Sequence, residues 1–172
     1  MPSVTIENEI PCTEEDFWSK TFFEEEWNRR FYLEILKFPE WKVLEQTREP
    51  NGAVKRRVHL LPQTVGLPGP LKKVMGDKFS YIEEGTYDPA KKQYDYRVIP
   101  SVMPEKTNGK GRITTRASGN KVLRTAHVDI EVKVFMVGGM LEEKILNDFR
   151  QSSEEAAKFS RVYVKEKGFS TE

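Results

Sequence analysis

The sequence holds one cysteine and two histidines. The single thiol, Cys12, excludes an internal disulfide and is compatible with a reducing compartment. The alternation of polar and apolar residues places His59 and His127 on the polar sides of their strands, so we do not expect them to share a metal or catalytic centre. The chain also lacks metal-ligand spacings, a phosphate-binding glycine loop and a nucleophile elbow. We therefore predict neither a metal nor a cofactor, and these absences weigh against an enzyme.

The chain also has no excess of positive or negative charge. Twenty-eight Lys and Arg stand against 27 Asp and Glu, giving a net charge of +1 with both signs mixed along the chain. A nucleic-acid partner would require a concentrated basic face, so we expect none. The first residues lack the basic and apolar regions of a signal peptide, and no apolar run approaches the ~20 residues of a membrane span. These features predict a soluble, cytoplasmic protein with one domain over residues 1–172.

The last third of the chain carries the clearest pattern. From Val122 to Met136 every second residue is apolar except Arg124, which predicts a long strand with one covered face. After Gly138 and Gly139 the apolar residues recur every three or four positions, as on one side of a helix. Such a helix would lie across the sheet and enclose either a solid core or a cavity.

The remaining elements complete an α+β pattern. A short strand from Val4 to Ile10 precedes two helical stretches, the first with Thr13 as its N-cap and the second ending at Pro39. Six strands follow: Trp41–Arg48, Val54–Leu61, Phe79–Tyr87, Gln93–Pro100, Gly111–Ser118 and Lys121–Met136. Short polar turns between several of these strands predict an antiparallel sheet.

Two connections, 62–77 and 99–110, are longer than hairpins need. Long loops often carry binding or gating work, and the alternative is an ordinary surface excursion. The first holds an apolar run beside two lysines, which would either touch an anionic membrane surface or dock against the body of the protein. The predicted gate or membrane-contact residues are Leu71, Lys72, Lys73, Met75, Val102 and Met103.

This order of elements resembles the helix-grip fold of the START-like superfamily, also called Bet v 1-like or SRPBCC. The resemblance extends from Val4 to about Gly168 and depends on architecture more than on a motif. The stretch Phe79 to Pro89 (FSYIEEGTYDP) also resembles the central strand and turn of the uncharacterised DUF2505 type and, more weakly, of PRELI-like phospholipid-transfer proteins. The resemblance implies a curved antiparallel sheet of about seven strands that wraps around the C-terminal helix and an apolar cavity.

Members of this superfamily bind sterols, phospholipids, polyketides and similar ligands, and fold alone does not choose among them. Strand and helix periodicity gives the residues expected to face the interior. The predicted ligand-binding set is Val58, Leu60, Tyr81, Glu83, Tyr94, Tyr96, Val98, Arg124, Ala126, Val128, Ile130, Leu141, Ile145, Phe149 and Ala156. Many of these residues would simply form core, while the tyrosine hydroxyls require partners when they are buried.

Charged residues on the apolar faces are more diagnostic, because an isolated buried charge is unfavourable. Glu45, Arg56 and Arg124 are either interior groups or lie near strand ends, where their charged groups reach water. Glu83 lies in mid-strand, and it would pair with Arg56 or Arg124 or receive a ligand hydroxyl. An interior arginine would suit a phosphate or carboxylate headgroup.

The sequence therefore favours a protein that binds a hydrophobic small molecule, in particular a lipid. One version of this hypothesis adds transfer of the ligand between membranes. The expected partners are that ligand and, transiently, a membrane surface. One alternative is a polyketide-cyclase-like or hydrolytic enzyme that uses Glu83 and a tyrosine. Another is a protein-interaction module whose interior is filled by its own side chains.

Overall fold

A computed structural model describes residues 1–172. Seven antiparallel strands form one sheet in the order β1-β7-β6-β5-β4-β3-β2. The strands are β1 (Ser3–Ile10), β2 (Glu40–Arg48), β3 (Val54–Leu61), β4 (Tyr81–Asp88), β5 (Gln93–Pro100), β6 (Thr107–Ser118) and β7 (Lys121–Val132). The meander from β2 to β7 follows chain order, and β1 closes against β7, as the helix-grip architecture predicts.

Helices lie at both ends of the meander. Between β1 and β2, α1 (Glu14–Phe17) and α2 (Glu25–Arg29) each continue into a π-helical segment, 18–22 and 30–35. Thr13 caps α1 through its side-chain oxygen, as predicted. The short α3 (Gly69–Met75) lies in the first long connection, and α4 (Gly138–Glu166) packs against β7 and β1.

The end of β7 departs from the sequence prediction. Apolar alternation predicts a strand as far as Met136, whereas the strand ends at Val132. The Glu142 carboxylate of α4 accepts a hydrogen bond from the Val132 backbone N–H at 2.9 Å, in place of a further strand contact. Gly138 begins α4 so close to the Val132 carbonyl that a Cβ atom would collide with it. The helix start therefore sets where the strand stops.

Two other details differ from expectation. Strand β6 begins at Thr107 rather than Gly111, so a short 3-10 turn at Pro104–Lys106 and four more strand residues replace part of the second long connection. In β2, a β-bulge between Val43 and Glu45 shifts the register, and Glu45 is exposed. The bulge explains why simple alternation wrongly places Glu45 among the apolar residues.

Most of the buried apolar residues fall into three separate clusters. One lies where α1 meets the sheet and includes Trp18, Tyr87 and Tyr94. A second joins α2 to the C-terminal half of α4 through Trp27 and Phe159. The third joins α3 to the end of β7 and the start of α4; it consists of Leu71, Ile130, Val132 and Leu141. Outside these clusters, the inner face of the sheet carries charged and phenolic side chains beside buried apolar residues such as Val58, Leu60 and Val128.

No helix of this structure has the length and apolar character needed to cross a membrane.

Candidate functional site

Two glycines shape the inner face of the sheet. We call the space that the sheet and the helices enclose the grip, and the inner face of the sheet its floor. On the inner face, Arg56, Gly85, Tyr96, Gly111 and Val128 are paired in a row across β3, β4, β5, β6 and β7. The ring of Tyr94 lies against Gly85 and that of Tyr96 against Gly111, so closely that a Cβ atom at either glycine would overlap the ring. The glycines therefore let two tyrosine rings lie across the floor of the grip.

An ion pair occupies the middle of this floor. Arg56 Nη2 donates to Glu83 Oε2 at 3.0 Å, and the Tyr94 hydroxyl donates to the same oxygen at 3.0 Å. The guanidinium also packs on the rings of Phe22, Phe23 and Tyr94, at 4.9–5.4 Å from their centroids. Burial alone would lower the pKa of Arg56, but the neighbouring Tyr94 and Glu83 outweigh it and hold that pKa above its ordinary value. The sequence left open which arginine partners Glu83, and the structure assigns Arg56.

Arg124 is a second enclosed arginine, with 6% of its surface exposed. Its Nη2 donates to Asn8 Oδ1 at 3.0 Å and to the Ser153 carbonyl of α4 at 2.8 Å. Its Nε has no acceptor. Burial lowers the pKa of Arg124 to about 10, and the more distant Glu154 offsets only part of this effect.

Three tyrosines border the space above this floor. Tyr32 comes from the π-helical segment after α2, Tyr81 from β4 and Tyr96 from β5, and all three are half-buried. Burial raises the pKa of each one above its ordinary value. Side chains can be deeply surrounded by protein and still retain accessible surface when that surface faces an interior space. From this partial exposure we infer an interior space bordered by these tyrosines and Glu83, and we call it the chamber.

The predicted ligand-binding residues separate into two groups. Those with at most 7% exposure are packed into the protein: Val58, Leu60, Tyr94, Arg124, Ala126, Val128, Ile130, Leu141 and Ala156. Those that retain surface are Tyr81, Glu83, Tyr96, Val98, Ile145 and Phe149. Contact with a ligand stays a prediction for all of them, and the second group offers the surface for it.

The predicted gate needs one correction. Leu71 is 2% exposed and packs with Ile130, Val132 and Leu141, so it anchors α3 to the body and presents no surface to a membrane. Lys72 and Lys73 are exposed, while Met75 packs beside the same cluster. Val102 and Met103 are half-buried in the second connection. The sequence predicted that this segment either contacts a membrane or docks against the protein, and the apolar side of α3 does the second.

Sequence reasoning missed three residues. Tyr32 reaches the chamber through a π-helical turn, which the apolar spacing of a regular helix does not reveal. Phe135 and Met136 are 91% and 83% exposed, because β7 stops before them. A turn signal before Gly138 would have identified this apolar tip, but unbroken alternation to Met136 concealed it.

A surface hollow reaches the ion pair from outside. It lies between α2 and β2, has a volume of about 440 Å³, and is lined by Phe23, Asn28, Trp41, Val43 and Arg56, among others. Its size falls within the range of small-molecule sites. No group of three or more His, Cys, Asp or Glu side chains is arranged to hold a metal ion.

Comparison with known proteins agrees with this architecture. The family described as protein of unknown function (DUF2505) matches residues 7–164. No curated protein gives a significant match.

Solved structures with the same fold come from several bacteria. A protein of Thermus thermophilus is 16% identical, with a TM-score of 0.64, and the match covers 95% of this chain and 97% of that one. A START superfamily protein of Mycobacterium smegmatis is 17% identical, with a TM-score of 0.55 and coverage of 91% and 97%. The Zhui aromatase/cyclase of a Streptomyces species is 11% identical, with a TM-score of 0.61 and coverage of 95% and 93%. At these identities the likeness concerns the fold alone.

Proposed function

The chain belongs to the DUF2505 family and has a START-like fold, and from that premise we propose that it binds a hydrophobic small molecule, a lipid, between the sheet and α4. The observation that supports the proposal is the accessible surface kept by three tyrosines that border the inferred chamber. Tyr32, Tyr81 and Tyr96 retain accessible surface although burial raises the pKa of each. An apolar site with a few oriented polar groups is the arrangement that orients such a ligand.

Burial of apolar surface would supply the affinity. At about 25 cal/mol per Å², removal of roughly 200 Å² from water contributes about 5 kcal/mol before ordering costs. Hydrogen bonds to the tyrosine hydroxyls would add orientation more than affinity. Binding in the micromolar range is therefore within reach of a chamber of modest size.

Two routes into the chamber are available. The hollow between α2 and β2 already reaches Arg56. At the other end, α3 closes the grip through Leu71, which packs on Leu141 and Ile130. Release of this short helix would open that end without disturbing the sheet, as lid segments do in other proteins.

In this proposal, transfer between membranes uses the exposed tip of the β7–α4 connection. Phe135 and Met136 project there, and the exposed Lys133 and Lys106 flank them, joined by a hydrogen bond from the Lys133 N–H to the Lys106 carbonyl. Apolar side chains beside lysines suit an anionic bilayer surface. The proposal also takes residues 1–172 as a single ligand-binding domain that works in the cytoplasm.

Native mass spectrometry of gently purified protein tests the proposal. The wild-type protein is expected to carry additional mass from a co-purified lipid. Val98→Trp should lose it, because Val98 is a half-buried residue of β5 paired with Glu83 on the chamber side of the sheet. Val162→Trp is the matched control, since Val162 is 61% exposed on the outside of α4.

Equal ligand mass in wild-type protein and folded Val98→Trp would place the ligand elsewhere. A wild-type protein that carries no ligand and takes up none from added lipid would support a protein-interaction module instead.

A second candidate is a hydrolytic or cyclase-like enzyme. It is favoured by the 3.0 Å contact between the Tyr94 hydroxyl and Glu83, which places an acid–base pair on the floor of the grip. Hydrolysis of p-nitrophenyl esters of increasing chain length would detect such chemistry. Glu83→Gln should abolish this turnover and alter lipid binding only modestly, whereas absence of turnover in the wild-type protein would remove this candidate.

A further inference from the structure

The charge of Arg124 is not balanced by any carboxylate in contact with it. Arg56 provides the comparison, because Glu83 lies 3.0 Å from its guanidinium and aromatic rings enclose it. Arg124 is equally enclosed but donates only to a neutral amide and a backbone carbonyl, both from Nη2. Its Nε has no acceptor, and the same is true of the Arg56 Nε, so the missing carboxylate is what distinguishes Arg124. A guanidinium has five N–H donors, so most of its hydrogen-bonding capacity is unused.

The nearest acid does not remove this imbalance. Glu154 is exposed on α4 and reaches Arg124 only through Asn8, whose Nδ2 lies 3.4 Å from each Glu154 carboxylate oxygen. An enclosed charge without a direct counter-ion is unfavourable. The pKa of about 10 leaves Arg124 charged at neutral pH. A residue needed only to tie β7 to β1 and α4 would not have to be charged.

The surroundings of Arg124 define a path for a ligand. Its partner Ser153 lies one and two helical turns after Phe149 and Ile145, on the same face of α4. Phe149 and Ile145 are half-buried, as are Tyr96 and Val98 on the facing sheet. Partly accessible apolar surface therefore extends from Arg124 along the grip toward Leu141 and α3.

We propose that Arg124 binds the anionic head, a carboxylate or a phosphate, of an amphiphilic ligand whose apolar tail lies along Phe149 and Ile145. This inference rests on the proposed ligand binding between the sheet and α4, and it names the class of ligand. The guanidinium is suited to both anions because its planar fork matches their oxygens. The head lies where α4, β7 and β1 meet, and the tail points toward α3.

Displacement of the uncharged dye Nile red by three probes with the same tail tests this assignment. Dodecanoate and dodecyl phosphate carry the two candidate anions, and dodecanol carries none. We expect the wild-type protein to bind at least one anion about tenfold more tightly than dodecanol, the size of effect given by one charge-assisted hydrogen bond. The preferred anion identifies the head group.

Two variants then locate the site. Arg124→Gln should bring all three affinities within about threefold of one another while dodecanol binding is kept, because only the charge contact is lost. Arg116→Gln is the matched control, since Arg116 is an exposed arginine of β6 whose loss should leave the preference unchanged. Arg124→Lys retains the charge and should keep part of the preference, which guards against a folding defect in the glutamine variant.

Three other outcomes would each contradict a different part of the proposal: the anion site, its assignment to Arg124, or ligand binding itself. Equal binding of dodecanoate, dodecyl phosphate and dodecanol by the wild-type protein overturns the anion site and leaves the chamber standing. An anion preference that survives in Arg124→Gln overturns the assignment to Arg124. Failure of the wild-type protein to bind any of the three probes overturns the ligand-binding proposal itself, and the anion site with it.

Discussion

Arg56 and Glu83 lie on neighbouring strands, with 3.0 Å between the guanidinium Nη2 and the carboxylate Oε2, beneath the rings of Phe22 and Phe23. Arg56 is 5% exposed and the Glu83 side chain 17%, so the pair lies inside the grip rather than at its rim. The interior thus contains an ion pair beside buried apolar residues such as Val58. This makes the pair a sensitive point for both stability and binding.

Glu83→Gln is expected to lower the free energy of unfolding by about 3 kcal/mol, because it leaves the Arg56 charge buried without its partner. Urea denaturation monitored by circular dichroism measures the change. The matched control is Glu84→Gln, which breaks contacts to Arg57 and Arg97 on the opposite, partly exposed face. Such exposed pairs contribute about 0–1 kcal/mol. Equal losses in the two variants would contradict an interior role for the Arg56–Glu83 pair.

Gly85→Ala should destabilise the fold by roughly 1–3 kcal/mol, because the new methyl group overlaps the Tyr94 ring. That ring cannot turn aside freely, since it is fully buried and its hydroxyl is bonded to Glu83. Gly139→Ala is the control, with no atom near its added Cβ and a place in the first turn of α4. Thermal melts compare the two. A Gly85→Ala protein as stable as the control would mean that the tyrosine rings do not lie across the floor of the grip.

Alkaline pH should unfold the protein and ionise its tyrosines together. Burial raises the pKa of all six tyrosines above the ordinary value, to about 12 for Tyr87 and Tyr163. The other four are Tyr32, Tyr81, Tyr94 and Tyr96. Each phenol holds its proton more tightly in the folded chain, so the stabilisation is fully present below about pH 10 and is lost as pH rises above it. Arg124 acts in the opposite direction, since its pKa is lowered, but it is one group against six.

Absorbance at 295 nm against pH, recorded with circular dichroism, measures this coupling. We expect little phenolate near pH 10, then a steep rise that coincides with unfolding. Gradual ionisation of most tyrosines near pH 10 in a folded protein would contradict their burial.

Phe135→Glu should reduce binding to vesicles that contain anionic lipid by several-fold, because it replaces an apolar contact with a charge repelled by the surface. Sedimentation with vesicles measures the bound fraction. Val162→Glu, on the exposed side of the C-terminal half of α4, should leave it unchanged. Ligand loading of both variants should match the wild-type protein. Vesicle binding that is insensitive to Phe135→Glu would remove the β7–α4 tip from the membrane contact.

Much of the fold was predictable because the strands carry regular periodicity. β3 and β5 run over the predicted residues, and the C-terminal helix lies across the sheet as expected. The end of β7 was not predictable, since Glu142 and Gly138 of α4 fix it through packing contacts that the alternation of residues does not reveal. For the same reason, the sequence singled out Arg124 as an exception in an apolar register but could not tell which arginine lacks a carboxylate partner.

The bulge in β2 has a consequence beyond the position of Glu45. β2 is an edge strand, and its outer flank offers unpaired backbone groups to any extended chain that approaches. The register break between Val43 and Glu45, together with the exposed charges of Lys42 and Arg48, interrupts that flank. The addition of a strand from another molecule at this edge, the first step of fibril growth, is thereby discouraged.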